Sequence, residues 1–164
     1  MTSVALRNFE PAYDAQVARQ QDAAPTYLRG ASFPIGGRAF TTARRLNAYY
    51  FAYVPDYVST PTIDLLWYIT GAQSTGSVSW VSRIAAISPG DAVRLSDKAY
   101  ATGNFTATSV LDEQILTKTT ITVTNTDSLA AGDLVVVNIY REPGNVTCGG
   151  TAVLIACSFN YTGS

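Results

Sequence analysis

"LLWYITGAQSTGSVSWV", Leu65–Val81, decides the fold of this chain. Just before and within it, Ile63, Leu65, Trp67 and Ile69 alternate with Asp64, Leu66, Tyr68 and Thr70; after the glycine-bearing turn, Val78, Trp80, Ser82 and Ile84 share one side of the next run. A period of two is the mark of a β-strand with one face turned to a core. Both tryptophans stand in phase with aliphatic neighbours, so alternation turns them inward, although two tryptophans so close together would also suit a sugar-stacking platform. They become core residues of consecutive strands joined by the Gly71 to Gly76 turn, and Tyr68, on the opposite phase, becomes the outward contact.

The same signature continues on both sides. "LNAYYFAYV" is rich in aromatics, "TTITVT" sets Ile121 and Val123 against a threonine face, and "AGDLVVVNIYR" and "TAVLIACSFNY" are apolar on both faces, as central or outwardly covered strands are. In "SLAAGDLVVVNI", Gly132 can supply a positive φ and Asp133 can accept hydrogen bonds from nearby backbone N–H groups, which starts a strand at Leu134; "SPGDAV" repeats the device with Pro89, Gly90 and Asp91. Short strands with turn signals every ten to fifteen residues and no internal repeat predict an all-β protein, a sandwich or barrel, over about residues 41–164.

The first forty residues read differently. Prolines at 11, 25 and 34 and glycines at 30, 36 and 37 leave room for one short helix, over about 12–23, in what is otherwise an extended N-terminal arm. Such an arm cannot bury its own aromatics and is expected to lie on another surface.

Composition narrows the function. Of the 164 residues 47% are hydrophobic and only 14% charged, well below the roughly 25% charged of an average domain, which predicts a surface partly covered by other chains. The net charge of −1 gives no general attraction to nucleic acid or an anionic membrane. Residues 1–45 hold Arg7, Arg19, Arg29, Arg38, Arg44 and Arg45 against Glu10, Asp14 and Asp22, so a mildly basic segment precedes a mildly acidic body. No stretch is apolar enough to span a bilayer as a helix, and the N-terminus lacks the pattern of a secretory signal, so synthesis in a cytoplasm without a signal peptide is expected. Asn104, Asn145 and Asn160 begin N-x-T triplets that a threonine-rich chain yields by chance.

Chemistry is sparse. The chain has no histidine, which removes Ser-His-Asp and Cys-His catalysis and the usual Cys/His zinc site; no metal, cofactor or catalytic residue is assigned. Lys98 and Lys118 read as solvated surface lysines. Asp91, Asp127 and Asp133 are accounted for by turns, and only Asp64 lies inside a strand, on the face away from Trp67. Cys148 and Cys157, nine residues apart, lie up to about 30 Å from each other along a strand, which makes them free thiols unless a turn brings Cys148 back. "RRLNAYYFAY" places Arg44 and Arg45 before aromatics, the composition of a protein interface more than of a phosphate-binding stripe.

A tryptophan strand, "TGSVSW", a long polar middle, "LAAGDLVVVNIYRE" and a closing "GTAVLIACSFNY" together resemble the single jelly-roll structural proteins of tailed bacteriophages, the capsid cement or decoration proteins and related neck and fibre modules. The resemblance covers about Phe40 to Tyr161. It implies a single jelly-roll sandwich of about eight strands and a non-enzymatic protein of the virion surface, a homo-oligomer, a trimer before a dimer, that binds the major capsid protein and stabilises the head by mass action. On that view Phe33, Arg38, Phe40, Arg44 and Arg45 make arm contacts to the capsid, and Tyr68, Val135, Leu154 and Ala156 make subunit contacts. The alternatives are a small single jelly-roll major capsid protein and a tail-fibre or receptor-binding module that recognises glycans through exposed tyrosine and tryptophan; a carbohydrate-binding module attached to an enzyme ranks below both.

Overall fold

Strands that alternate apolar and polar side chains must stack two sheets to bury their apolar faces, and this chain does so. The structure is a computed structural model that describes residues 2–5, 7–8, 24–29, 34–43, 45–71, 76–91, 104–110, 114–143 and 147–163. Its strands are β1 (Thr2–Ala5), β2 (Arg7–Asn8), β3 (Ala24–Arg29), β4 (Pro34–Phe40), β5 (Asn47–Val54), β6 (Tyr57–Thr70), β7 (Gly76–Ile87), β8 (Asn104–Val110), β9 (Thr117–Thr122), β10 (Asp133–Arg141) and β11 (Thr151–Gly163). There is no α-helix among the described residues.

One sheet has the order β3-β4-β11-β6-β9, with β1 also on β11; the other has the order β2-β5-β10-β7-β8. All pairs are antiparallel. The pairs β4 with β11, β5 with β10, β6 with β9 and β7 with β8 nest one inside the next, like a long hairpin bent at β7–β8 and wound around a common core. Those eight strands form the jelly-roll sandwich that the resemblance implied.

The core lies where the alternation places it. Ile63, Leu65, Trp67 and Ile69 of β6 face Val78, Trp80, Ile84 and Ala86 of β7, all buried in one cluster. The Trp67 and Trp80 rings meet edge to face at 5.6 Å, and Phe40 meets Trp80 in the same way at 5.1 Å. Trp67 Nε1 donates to Thr119 Oγ1 at 2.8 Å, whereas the indole N–H of Trp80 has no hydrogen-bond partner.

The turn chemistry is also as expected. Gly132 and Gly90 take positive φ, and the carboxylates that follow them accept from the backbone three residues earlier, Asp133 from Ala130 N–H at 2.8 Å and Asp91 from Ser88 N–H at 3.1 Å. Both cysteines are free and buried.

The described parts of residues 1–40 are extended, and the surface they lie on is the chain's own sandwich. β1 and β4 line the same edge of β11, at Ser158–Tyr161 and Ala152–Leu154; β2 pairs with β5 in the other sheet, and β3 pairs with β4. β4 presses so closely on β11 that a Cβ at Gly37 would stand 2.6 Å from the Leu154 carbonyl oxygen. Phe40, expected to touch a capsid, is a core residue, and Arg38 is half-buried on β4 opposite Leu154. Phe33, Arg44 and the helix expected at 12–23 lie outside the described residues.

Arg141 stands in the sequence as one cation at the end of an apolar run. It ends β10 on the inward phase, is fully buried, and donates to three carbonyls, those of Phe40 at 3.2 Å, Gly150 and Cys148. Burial pulls its pKa below the ordinary guanidinium value. It joins the end of β4 to the approach to β11, positions 101 and nine residues away along the chain.

Two outcomes follow for stability in chemical denaturation. Trp67→Phe costs about 1 kcal/mol more than Trp80→Phe, because only the first loses a buried hydrogen bond. Arg141→Met, of similar length but without donors, costs about 3 kcal/mol or more by leaving buried carbonyls unpaired.

Candidate functional site

A two-faced strand puts every second residue on the outside of its sheet, and in β5 the outward set is Asn47, Tyr49, Phe51 and Tyr53, while Ala48, Tyr50, Ala52 and Val54 are buried. The outward residues cover about 20 Å at the usual strand rise. Tyr53 at one end is 60% exposed, the most exposed large hydrophobic side chain among the described residues.

The neighbouring strands divide this face of the five-stranded sheet into two halves. Beside Phe51 and Tyr53 the register brings Val136 and Leu134 of β10, then Ala85 and Ile87 of β7. These form a small apolar cluster outside the main core, with Val136 fully buried and Phe51 and Leu134 packed against it. Beside Asn47 and Tyr49 stand Tyr140 and Asn138 of β10, then Arg83 of β7 opposite Asn138. Asn138 Nδ2 donates to Asn47 Oδ1 at 3.2 Å. Arg45, just before β5, bridges to Glu142 at 2.8 Å. The guanidinium carbons of Arg45 and Arg83 lie 4.4 and 5.1 Å from the centroid of the same Tyr140 ring.

Val136, Asn138 and Tyr140 are buried at the middle of this face, and what reaches the surface is Tyr53 at one end, Arg45 at the other and the half-buried Asn47, Tyr49, Phe51 and Arg83 between and beside them. Such a surface can stack against the apolar side of a ring while donating and accepting hydrogen bonds at its rim. Sequence reading noted the aromatics of "NAYYFAYV" without phasing them. The period-two signal was there, small residues at 48 and 52 against Asn47, Tyr49, Phe51 and Tyr53, but a third tyrosine, Tyr50, sits on the buried phase and blurs it.

The opposite outer face, on the six-stranded sheet, is built around Asp64. Its carboxylate accepts from Thr120 Oγ1 at 2.5 Å and Asn160 Nδ2 at 3.0 Å, and pairs with Lys118 at 2.9 Å. Burial pushes the Asp64 carboxyl up, but the hydrogen bonds from Thr120, Lys118 and Asn160 and the lysine charge together hold it below the ordinary value. Asn160 is buried with its amide committed to Asp64, so its N-x-T triplet presents no accessible glycan acceptor. This network ties β6, β9 and β11 together on a polar face, a structural use of its charges.

Of the residues expected at subunit contacts, Val135 and Leu154 lie in the core and cannot reach a neighbouring molecule. Tyr68 takes the outward phase but is buried, and Ala156 is exposed. The physical reason for the error at Leu154 is a β-bulge: the pairing of β11 with β6 shifts between Leu154 and Ala156. Ala152 and Leu154 therefore point inward before the shift, and Cys157, Phe159 and Tyr161 after it. At Val135 both faces of β10 are apolar, and alternation has no phase to read. Arg45 is exposed, as an interface residue would be, but belongs to the polar end of the five-stranded sheet's outer face.

No protein-family model matches this sequence, and no curated protein is detectably similar to it. Solved structures do resemble the fold. A family 11 carbohydrate-binding module from Clostridium thermocellum, in complex with a β-1,3-1,4-mixed-linked tetrasaccharide, is 8% identical with a TM-score of 0.51, over 98% of this chain and 96% of that one. The family 11 module of the cellulosomal cellulase Lic26A-Cel5E of Clostridium thermocellum is 7% identical with a TM-score of 0.47, over 98% and 87%. A module in complex with β-1,4-galactotriose is 5% identical with a TM-score of 0.38, over 79% and 71%. At 8% identity the first likeness speaks for the architecture, a β-sandwich matched almost from end to end.

These findings correct the capsid cement expectation. The sandwich matched almost from end to end is that of a carbohydrate-binding module and not of a phage jelly-roll protein. Within the structure, the described arm lies on the chain's own sheets, and Phe40, Val135 and Leu154 are inside the sandwich.

The Asp64 network carries a pH signature. A carboxyl held below its ordinary value contributes stability that is fully present above that value, 3.8, and is lost as pH falls through the folded one. Wild-type protein is thus more stable than Asp64→Asn near neutral pH, and the gap between their unfolding midpoints closes in acid. A gap independent of pH would remove the charge from the account.

Proposed function

We propose that this chain is a non-catalytic glycan-recognising module that holds an oligosaccharide on the outer face of its five-stranded sheet. The observation that carries the proposal is the outward row Asn47, Tyr49, Phe51 and Tyr53, three aromatics of which Tyr53 is exposed and the others half-buried, with guanidinium groups beside the Asn47 end. A rigid sheet holds these side chains at fixed spacing, so little ordering is needed on binding. The aromatic side chains exclude water from the apolar side of a sugar ring, and the half-buried Asn47, held by the buried Asn138, stands where the ring's hydroxyls would come.

The likeness to a family 11 module solved with a mixed-linked tetrasaccharide supports the same reading, because it joins this sandwich to a protein that takes an oligosaccharide. The lack of histidine, and the use of the carboxylates Asp64, Asp91 and Asp133 in structural hydrogen bonds, favour recognition over bond cleavage.

Affinity electrophoresis through gels holding soluble plant and microbial polysaccharides provides the test. At least one polysaccharide retards the protein, and Tyr53→Ala weakens that retardation by about ten-fold, the loss of one stacking anchor. Full retention by Tyr53→Ala, or no retardation in any gel, would sink the proposal.

A further inference from the structure

The cationic end of the same face has more positive charge than the fold accounts for. Arg45 and Arg83 both stand over the Tyr140 ring, at 4.4 and 5.1 Å from its centroid, so their guanidinium carbons cannot be farther apart than those two distances together. Two like charges this close cost energy unless a negative charge answers each. Glu142 answers Arg45 at 2.8 Å. Nothing among the described residues answers Arg83, and its Nε is buried without a hydrogen-bond partner. Strands β5 and β7 hold no acidic residue, and the only one in β10, Asp133, is occupied in its turn at the far end.

A buried guanidinium N–H without an acceptor is uncommon in a folded protein. The guanidinium is also a planar fork, matched in shape to a carboxylate or a sulfate and more weakly hydrated than an ammonium. Arg83 is fixed on a central part of the sheet by register with Asn138, whose amide is held by Asn47. The site is local: the whole chain carries a net charge of −1, so no general field draws anions to it.

We infer that the glycan bound on this face is an anionic one, its uronic-acid carboxylate or sulfate ester received by Arg83 with Arg45 beside it, over Tyr140. The inference rests on the glycan-binding reading and adds the ligand's charge to it. Arg83 supplies the free fork, and Arg45 stays bridged to Glu142 and lends its field. The half-buried Asn47, held by the buried Asn138, lies next along the face, where a hydroxyl of the same or the next sugar would come.

Titration calorimetry on the full chain tests this with matched pairs of probes. Oligogalacturonate and oligomannuronate are each compared with their methyl esters, which keep the sugar and remove the charge; a sulfated galactan oligosaccharide and a neutral mixed-linked β-glucan tetrasaccharide complete the set. At least one anionic probe is expected to bind about ten-fold or more tightly than its neutral counterpart, with affinity falling as salt is raised. Uronates alone, or the sulfated sugar alone, would identify which anion the fork receives. Arg83→Gln removes the advantage of the charged probe, and Arg83→Lys, which keeps the charge without the fork, restores only part of it. Arg45→Gln, read in the same way, serves if Arg83→Gln does not reach the wild-type unfolding transition.

Binding of the neutral glucan or of methyl esters as tightly as the charged probes would overturn the anionic ligand and leave the glycan module standing. An advantage for charged probes that survives both Arg83→Gln and Arg45→Gln would place the anion elsewhere and overturn this site. Binding of no probe at all would overturn both proposals together.

Discussion

Trp67 and Trp80 stand thirteen positions apart on consecutive strands that belong to different sheets, and their rings meet edge to face across the space between them. That contact sets which faces of β6 and β7 close on each other, and the aliphatic side chains on the same phase follow it into the core. Phe40 joins from β4, its ring on Trp80 and its carbonyl on the buried Arg141. The first strand of the roll, the two at its centre and the last residue of β10 are thus locked around one point. Arg141 reaches on to the Cys148 and Gly150 carbonyls and secures the entry to β11, so aromatic packing and a buried charge share the same task.

Once the inward phase is taken by this core, the outward phase is left to solvent or to a ligand, and the two outer faces use it differently. On the six-stranded sheet, Asp64 gathers Lys118, Thr120 and Asn160 into a network whose charges and donors are satisfied within it. On the five-stranded sheet, aromatics stand beside amides and two arginines that share one tyrosine ring, with a carboxylate on Arg45 alone. A face that is internally complete is structural. The second face, with Tyr53 exposed at one end and the Arg83 Nε without a partner near the other, is the one proposed to meet a ligand.

The N-terminal residues show how the same composition can serve another purpose. An arginine-bearing, proline-punctuated segment suggests a bracket across a neighbour, but β1, β2 and β4 find unpaired strand edges within their own molecule. An open edge presents a row of backbone donors and acceptors, and the nearest extended segment closes it. Here it is the chain's own.

Local pattern was enough for much of this. The strands around Trp67 and Trp80, the free cysteines, the turns at Ser88–Asp91 and Ala130–Asp133 and the all-β sandwich class were legible because alternation, glycine and aspartate act over a few residues. Three things lay beyond that range. The bulge between Leu154 and Ala156 reverses the phase of β11 through its pairing with β6, so the sequence "TAVLIACSFNY" alone misassigns Leu154. Arg141 is an isolated arginine until the fold brings the carbonyls of Phe40, Cys148 and Gly150 around it. The candidate site draws Arg45, Arg83 and Tyr140 from three separate runs, and only the registers of β5, β10 and β7 set them on one face, because hydrogen-bonded pairing between strands, and not proximity along the chain, decides which side chains are neighbours.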